Sequence, residues 1–156
     1  MSEANIRDII EGVRSGKYSM ENLPFELFKY TSNELINAYE EGWQTTELSN
    51  PDIESADHAL FNSFRENIWY FSGNKTAAQV AELQALLHDD EGNRRSLYDY
   101  TKDALKVDST FNRNYLAAEY DMTFKLAQSG REWREIEDTK DTFPFLQWVT
   151  VMDDNT

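Results

Sequence analysis

Apolar residues recur every three to four positions along this chain, and glycine and proline divide the pattern into segments. The first segment has the spacing i, i+3, i+4, i+7 at Ile6, Ile9, Ile10 and Val13. Because an α-helix turns once every 3.6 residues, this spacing gathers the apolar side chains on one buried face. The sequence therefore predicts a mainly α-helical protein built as a multi-helix bundle.

Capping residues predict where the first helices begin and end. Ser2 is a candidate N-cap, because its hydroxyl can accept a hydrogen bond from a free backbone N–H, and Gly16 is a candidate stop. Pro24 opens a short turn, and Thr31 with Glu34 has the form of a capping box. The helix behind that box is expected to bury Leu35, Ile36 and Tyr39 and to end at Gly42.

Two further helices are predicted before residue 93. Asn50 and Pro51 begin the first, which ends near Gly73 and has an apolar stripe made of Ile53, Leu60, Phe64, Ile68 and Phe71. Thr76 and Gln79 suggest a second capping box. The helix that follows is expected to bury Val80, Leu83 and Leu87 and to close at residues 89–92.

The C-terminal half predicts two more helices. Asn93 is the expected cap of a helix that buries Leu97, Tyr100, Ala104 and Leu105. One long C-terminal helix then runs from about Thr110 to about Asp138, with an apolar stripe made of Tyr115, Met122, Leu126, Trp133 and Ile136. Gly130 within it indicates either a kink or a close helix crossing. The chain should thus contain about five to six helices.

The end of the sequence has a different pattern. Residues 145–152 alternate in a two-residue period and are rich in aromatic and β-branched side chains, which predicts a terminal β-strand. A strand needs a partner, and no other convincing strand precedes it. We therefore expect a helical domain over 1–142, with N-terminal helices in 1–49 and the main bundle in 50–142. Residues 143–156 then begin a truncated α+β part, or pair with another molecule.

Charge and composition exclude several functions. The net charge of −14 argues against direct nucleic-acid binding, because affinity for phosphates comes mainly from Lys and Arg. No apolar run approaches the length of a membrane helix, so no membrane association is expected. No base lies between Lys29 and Arg65. This acidic stretch is interpreted either as a solvated face or as a docking face for a basic partner.

Recognisable catalytic patterns are missing from the sequence. The chain has no cysteine, and no Gly-rich phosphate loop is present. Its two histidines, His58 and His88, have carboxylates nearby, so a His/carboxylate metal site is conceivable, although surface histidines among many acids give the same pattern. With 29 acids, no pair can be singled out for glycoside hydrolysis. We expect no enzyme activity, no cofactor and no metal.

Aromatic and acidic residues supply the candidate interaction surface. In the run Trp69-Tyr70-Phe71, successive side chains diverge by about 100° on a helix, so the three rings cannot face one core. Trp69 or Tyr70 must then pack against a second helix or remain exposed, where Trp and Tyr often dominate binding. The full candidate surface comprises Trp43, Trp69, Tyr70, Glu40, Glu41, Glu47, Asp52 and Trp148.

The order of several motifs resembles the phage head morphogenesis family, the minor head proteins similar to phage Mu protein F. The motifs are NIWYFSGNKT at 67–76, DDEGN at 89–93, YLAAEYDMTFKLAQSGREW at 115–133 and FPFLQWVTVMDD at 143–154. The stretch LPFELFKYTSNELINAYEEGW at 23–43 is similar to the versions in phages and prophages of Bacteroides-type bacteria. In that family the terminal strand is followed by a segment bearing arginine and histidine, and this chain ends before it.

This resemblance implies a structural role in virion assembly. Such a protein contacts the portal or inner capsid proteins and is present in a few copies, in the bacterial cytoplasm during assembly and then in the virion head. The functional residues of the family lie in the segment that follows the strand, so none is carried over. A different hypothesis uses the negative charge: an acidic inhibitor of phage or mobile-element origin that mimics DNA and occupies a basic groove.

Overall fold

The computed structural model describes residues 1–49 and 57–144. Within these ranges the helices are α1 Glu3–Ser15, α2 Phe25–Trp43, α3 His58–Ala85, α4 Leu97–Ser109 and α5 Leu116–Thr139. A π-helical turn, Thr110–Tyr115, joins α4 to α5 without a break. Because α4, this turn and α5 are continuous, the described ranges contain four helical segments and no β-sheet, and the predicted count of five to six helices is not confirmed in them. The mainly α-helical fold is confirmed; the expected strand lies in residues 145–156, outside the described ranges.

The α1 helix has the predicted boundaries and the predicted buried face. The Ser2 hydroxyl accepts a hydrogen bond from the Asn5 backbone N–H at 3.3 Å. Gly16 ends the helix with φ of 82°, a left-handed conformation that glycine adopts without strain. The buried side chains on this helix include Ile9, Ile10 and Val13. Capping and periodicity are sufficient to place this element because both indicate the same boundaries.

The α2 helix begins six residues before the predicted capping box. The carbonyl of Pro24 accepts bonds from the N–H groups of Leu27 and Phe28 at 3.1 and 3.3 Å, so the first turn forms directly after the proline. Leu27 is buried in this turn, and its burial favours the early start. The prediction that Thr31 caps the helix is wrong, because Thr31 is a buried residue inside it.

The α3 helix continues through both of the breaks that the sequence suggests. Gly73 lies inside the helix, and the Thr76 hydroxyl donates a hydrogen bond to the carbonyl of Ser72 at 2.8 Å. The Gln79 side-chain amide donates to the Asp108 carboxylate at 3.3 Å. Since both box residues have other partners, the predicted stop and the predicted second box are wrong. The predicted start at residues 50–51 lies outside the described ranges.

Ser96, and not Asn93, caps α4. The Ser96 hydroxyl accepts a bond from the Asp99 backbone N–H at 3.1 Å. Asn93 instead belongs to the preceding turn, where its backbone N–H donates to the Asp89 carboxylate at 2.8 Å. The N-cap therefore lies three residues later than predicted, and Leu97, which was expected to be buried, is exposed on the first turn. Tyr100 and Ala104 are fully buried as expected.

The buried residues form two hydrophobic clusters. The α1–α4 cluster contains Ile9, Ile10, Val13, Leu27, Val80, Leu83, Tyr100 and Ala104. The α2–α5 cluster contains Leu35, Ile36, Tyr39, Trp43, Leu48, Phe61, Ile68, Leu116 and Ala127. Along α3, the buried polar residues Ser72, Lys75, Thr76 and Gln79 separate the parts of the helix that enter each cluster. Each cluster combines residues from both sides of the 49/50 boundary, so the two predicted segments share their cores.

The α2 and α5 helices cross in very close contact. A Cβ atom built on Gly42 would lie 2.3 Å from the carbonyl oxygen of Phe124 and 2.9 Å from the Cβ of Ala127. A Cβ on Gly130 would lie 2.6 Å from the Trp43 ring. Only glycine leaves room for these approaches. Gly130 therefore marks a close helix crossing, one of the two interpretations that the sequence left open.

This crossing rotates α5 away from its predicted orientation. The residues that α5 buries are Leu116 and Ala127, each one position after a member of the predicted stripe. One position is about 100° around a helix. The burial expected for most of that stripe is therefore wrong: the exposed fractions of Met122, Leu126 and Trp133 are 66%, 58% and 59%, and Tyr115 is also exposed. The small residues that allow α2 and α5 to approach closely, and not the larger apolar side chains, therefore determine which face of α5 is buried.

Candidate interaction surfaces

Trp43 belongs to the core and not to an accessible surface. Its ring stacks on Tyr39 with a centroid distance of 5.9 Å and meets the edge of Phe61 at 5.4 Å. Such aromatic pairs stabilise a core beyond the area they bury. The candidate surface of the sequence must therefore be corrected at this position, because Trp43 is buried in the α2–α5 cluster.

Trp69 and Tyr70 are both exposed, with exposed fractions of 46% and 75%. They line a surface cleft together with Phe28 and Gly73, where the missing side chain of the glycine leaves open space. The Arg65 guanidinium lies 5.5 Å from the centre of the Trp69 ring and so holds the ring by a cation–π contact. We call Phe28, Trp69 and Tyr70 the aromatic surface.

The acidic residues of the candidate surface make contacts within the chain. Glu40 accepts hydrogen bonds from the backbone N–H and the hydroxyl of Ser49, at 2.7 and 2.8 Å. Glu41 accepts a bond from the Tyr120 hydroxyl at 2.7 Å, and this bond raises the pKa of Tyr120 to about 12. Glu47 is half-buried. Asp52 lies outside the described residues, as does Trp148.

The described part of the acidic stretch therefore also has a structural role. Asp57 forms an ion pair with Arg134 at 3.3 Å, so carboxylates of this stretch connect α2 and the start of α3 to α5.

A second surface is a groove between α3 and α5 with α2 below it. The groove has a volume of about 200 Å³. The α3 wall is formed by Phe64, Asn67 and Phe71, the α5 wall by Met122, Thr123 and Leu126, and the floor by Leu35 and Tyr39. Its lining is predominantly apolar, although its walls are exposed. We call it the α3–α5 groove.

Ion pairs connect the two walls toward each end of the groove. Lys75 on α3 pairs with Glu119 on α5, and Asp57 before α3 pairs with Arg134 on α5. The order of these contacts makes α3 and α5 antiparallel. At 1.5 Å per residue, the two pairs are separated by about 27 Å along α3. The residues that line the groove span 64–71 on α3 and 119–126 on α5, about 10 Å or two turns of each helix.

The floor contains one polar atom in an apolar setting. Tyr39 is buried between Trp43 and Phe64, and its hydroxyl has no hydrogen-bond partner among the described residues. Burial, followed by the negative charge of Asp57, raises the pKa of Tyr39 above its ordinary value. The phenol therefore stays protonated at neutral pH, available to donate a hydrogen bond.

The buried polar layer beside the groove is partly paired within the chain, but among the described residues the Ser72 hydroxyl and the side-chain oxygens of Gln79 and Asn112 have no hydrogen-bond partner. Asp108 accepts bonds from Gln79 at 3.3 Å and from Asn112 at 2.6 Å. Asn112 belongs to the π-helical turn, a local form that is frequent at functional sites. Here the turn aligns an amide with a carboxylate. In the described ranges, no group of three or more His, Asp or Glu residues is arranged to hold a metal ion.

The two histidines occupy separate environments. The His58 ring nitrogen lies 2.8 Å from the Asn62 side-chain amide on the first turn of α3. His88 is exposed in the turn before α4. Its neighbour Asp89 accepts two backbone N–H bonds in that turn, and the bond from Asn93 is the main reason for its lowered pKa. The contacts of Asp89 stabilise the turn before α4, and the imidazole rings of His58 and His88 do not lie together.

Sequence reasoning proposed Trp69 and Tyr70 as surface residues, but it did not include Phe28 and it missed the groove. The aromatic run was detectable because three consecutive rings cannot share one face. The groove depends on which face of α5 is buried, and the stripe of large apolar residues favoured the wrong face. The signal was the set of small residues Gly42, Ala127 and Gly130, which permits close packing of two helices.

Comparisons of the chain with protein-family models, curated proteins and solved structures find no match. Among the helices in residues 1–49 and 57–144, none has both the length and the apolar character needed to cross a bilayer.

Proposed function

We propose that this protein is a non-catalytic assembly protein of a phage or prophage, a minor head protein that binds portal or inner capsid proteins. The proposal combines the resemblance of its ordered motifs to the head morphogenesis family with one structural observation, the aromatic surface. Two exposed rings beside an open cleft form the kind of site in which a few residues dominate binding. Its place of action would be the bacterial cytoplasm and then the virion head.

The aromatic surface supports binding to a protein more than any other role. Trp69 and Tyr70 present large rings on a rigid helix, so little conformational entropy is lost when a partner covers them. Phe28 extends the same surface onto α2, where its ring lies 5.9 Å from that of Phe25. Exposed aromatic residues that are clustered in this way are typical of interfaces and not of ordinary solvated surface.

The contacts of the carboxylates favour this proposal over a DNA mimic. A mimic needs carboxylates spaced along one surface like phosphates and free to meet a basic groove. Glu40, Glu41 and Asp57 instead accept bonds from residues of this chain. Competition with DNA for a nuclease or polymerase at low salt is the observation that would favour the mimic.

Binding to the portal protein encoded beside the gene tests the proposal. We expect the chain to bind that portal protein, and the double variant Trp69→Ala/Tyr70→Ala to bind at least about tenfold more weakly, because truncated hot-spot residues cost about 2 kcal/mol or more. Isothermal titration calorimetry with the purified portal protein measures the change.

The matched control is Tyr98→Ala. Tyr98 lies on α4, away from the aromatic surface, and its exposed fraction of 76% matches the 75% of Tyr70. Its removal should leave the affinity unchanged. Equal losses for the control and the double variant would contradict the assignment of the surface, and absence of portal binding by the chain would contradict the proposed function.

A further inference from the structure

The α3–α5 groove has a large exposed apolar rim. Phe71, Met122 and Leu126 line the groove and are exposed, and the exposed Leu60 on α3 and Trp133 on α5 continue the same two helix faces beyond it. Together they expose on the order of 500 Å², near the upper end for the largest apolar patch of a monomeric protein. A stable interface buries roughly 800 Å² per partner, so this rim supplies most of the required area.

The spacing of the α5 rim fits packing against another helix. Met122, Leu126, Ser129 and Trp133 follow one another at intervals of four, three and four residues. This is the heptad spacing of a helix that packs along its length against a second helix. The rim of α3 runs antiparallel beside it, so the surface consists of two helices that are ready to complete a four-helix arrangement.

We propose that a second copy of this chain occupies the groove, with α5 packed antiparallel against the α5 of the partner subunit. The two α3 helices complete a four-helix bundle between the copies. In a two-fold symmetric dimer the same patch forms both sides of the interface. The inference goes beyond the proposed function, because it uses a different surface from the aromatic one and requires no portal protein.

Charge selects a second copy in the antiparallel orientation. Lys125 and Glu132 directly precede Leu126 and Trp133, and their seven-residue separation places them on the same flank of α5. Both are exposed, and neither forms an ion pair with the described residues. When Met122 packs opposite Trp133 of the partner subunit, Lys125 lies about two residues, or 3 Å along the helix axis, from Glu132 of the partner subunit on the same flank of the interface. The two-fold axis produces this pair twice.

Other arrangements lack this complementarity. In a parallel dimer this flank of each copy would lie on opposite sides of the interface, so Lys125 would face the partner's Gly130 and Glu132 would face the partner's Glu137. A basic helix from another protein would meet one positive and one negative residue on this flank, not an acidic rim. The overall charge of −14 opposes association at long range, but at physiological salt it is screened beyond about 8 Å.

Sedimentation equilibrium of the full chain tests the proposal. At about 100 µM and physiological salt, we expect twice the chain mass of 18.2 kDa, because an interface of this size supports micromolar affinity or better. Leu126→Glu should raise the dissociation constant by roughly 100-fold or more, because it places a charge in the apolar interface of each copy. Its matched control is Leu97→Glu on α4, where the exposed fraction is 60% against 58% for Leu126.

A charge exchange tests the orientation. Lys125→Glu should weaken the dimer about tenfold by replacing two attractive pairs with two repulsive ones, and Glu132→Lys should do the same. The double variant Lys125→Glu/Glu132→Lys restores both pairs and should return the dissociation constant to within about threefold of the original. Circular dichroism and urea unfolding of each variant verify that the fold is retained.

Several results would overturn the proposal. They are the mass of a single chain at 100 µM, a dimer that persists in Leu126→Glu, and a double charge variant as weak as the single ones. If the full chain is monomeric and dimerises only after residues 145–156 are removed, the occupant of the groove is this chain's own C-terminal segment and not a second copy. Portal binding by Leu126→Glu measures the proposed function separately, because the aromatic surface is unchanged in that variant.

Discussion

The two hydrophobic clusters differ in how completely the chain encloses them. The α1–α4 cluster is enclosed by four helical segments, and its polar group is satisfied, because the Tyr100 hydroxyl donates to the Ile10 carbonyl at 3.2 Å. The α2–α5 cluster is rich in aromatic rings and borders an open groove, where the Tyr39 hydroxyl has no partner among the described residues. The chain thus encloses the first cluster, whereas the second also borders a surface groove.

The difference comes from the residues at the helix contacts. In the α1–α4 cluster, branched side chains such as Ile10, Val13 and Leu83 fill the space between helices. In the α2–α5 cluster, Gly42 and Ala127 allow the backbones to meet directly, and the large apolar residues of α5 remain at the side. Close packing by small residues therefore fixes the helices and leaves large residues for other contacts.

A large-to-alanine substitution that creates a cavity in each cluster should give the largest difference between them in the free energy of unfolding. Leu83→Ala, at a fully buried position, should lower the free energy of unfolding by about 3–4 kcal/mol, because the enclosed site cannot collapse around the lost methyl groups. Ile68→Ala, beside the groove, should cost only about 2 kcal/mol, since its open side permits relaxation. Urea unfolding at micromolar protein concentration measures both, and equal losses would remove the distinction between the clusters.

The contact between α2 and α5 can be broken at one residue. Gly42→Ala should cost about 2–3 kcal/mol, because the new Cβ meets a backbone carbonyl that no rotamer change can move. Gly73→Ala is the matched control: it also lies inside a helix, but its Cβ would meet nothing within 4 Å. It should stabilise the protein by about 0.5–1 kcal/mol through helix propensity.

Thermal unfolding of both glycine variants gives the comparison. A stable Gly42→Ala variant would contradict the close crossing of α2 and α5. Loss of stability in Gly73→Ala would instead contradict the continuity of α3 through the predicted break.

Two tyrosines provide the most sensitive comparison of the two regions. The pKa values of Tyr100 and Tyr120 are both raised from 10 to about 12, the first by burial in the α1–α4 cluster and the second by the hydrogen bond to Glu41. Glu41→Gln should lower the pKa of Tyr120 toward 10 and leave that of Tyr100 unchanged. NMR titration of the tyrosine ring carbons measures each value, and a parallel change at Tyr100 would contradict the separation of the two causes.

The same shift gives a small dependence of stability on pH. Because the folded-state pKa of Tyr120 is raised, its contribution is complete below pH 10, the ordinary value for tyrosine. It is lost as the pH rises through about 12. In Glu41→Gln this part of the alkaline destabilisation should be absent.

The sequence predicted the elements whose local signals agree with the tertiary packing. Ser2, Gly16 and the apolar face of α1 all specify the same helix, and the structure confirms it. The box at Thr76 failed because its side chains bind Ser72 and, through Gln79, Asp108, which lies far away in the sequence. A capping pattern records which local bonds are possible, but it does not record which partners the fold brings near.

The candidate site was predicted in part for the same reason. Trp69 and Tyr70 were proposed as surface residues because helix geometry prevents three consecutive rings from facing one core, although Phe71, which the sequence placed on the buried stripe, is exposed as well. Trp43 was misplaced, since its burial depends on the contact with Gly130 on a distant helix. The groove required the rotation of α5, which is decided by the fit of α2 against α5 and not by the number of apolar residues on either face.

The close approach at Gly42 has a consequence for how this protein can change over time. The atoms that hold α2 against α5 there belong to a glycine, an alanine and a backbone carbonyl, whereas the groove rim belongs to Met122, Leu126 and Trp133. Substitutions on the rim can therefore accumulate with little penalty to folding. A lineage of such proteins can acquire new binding specificities on an unaltered scaffold, and a protein engineer can redesign the rim on the same terms.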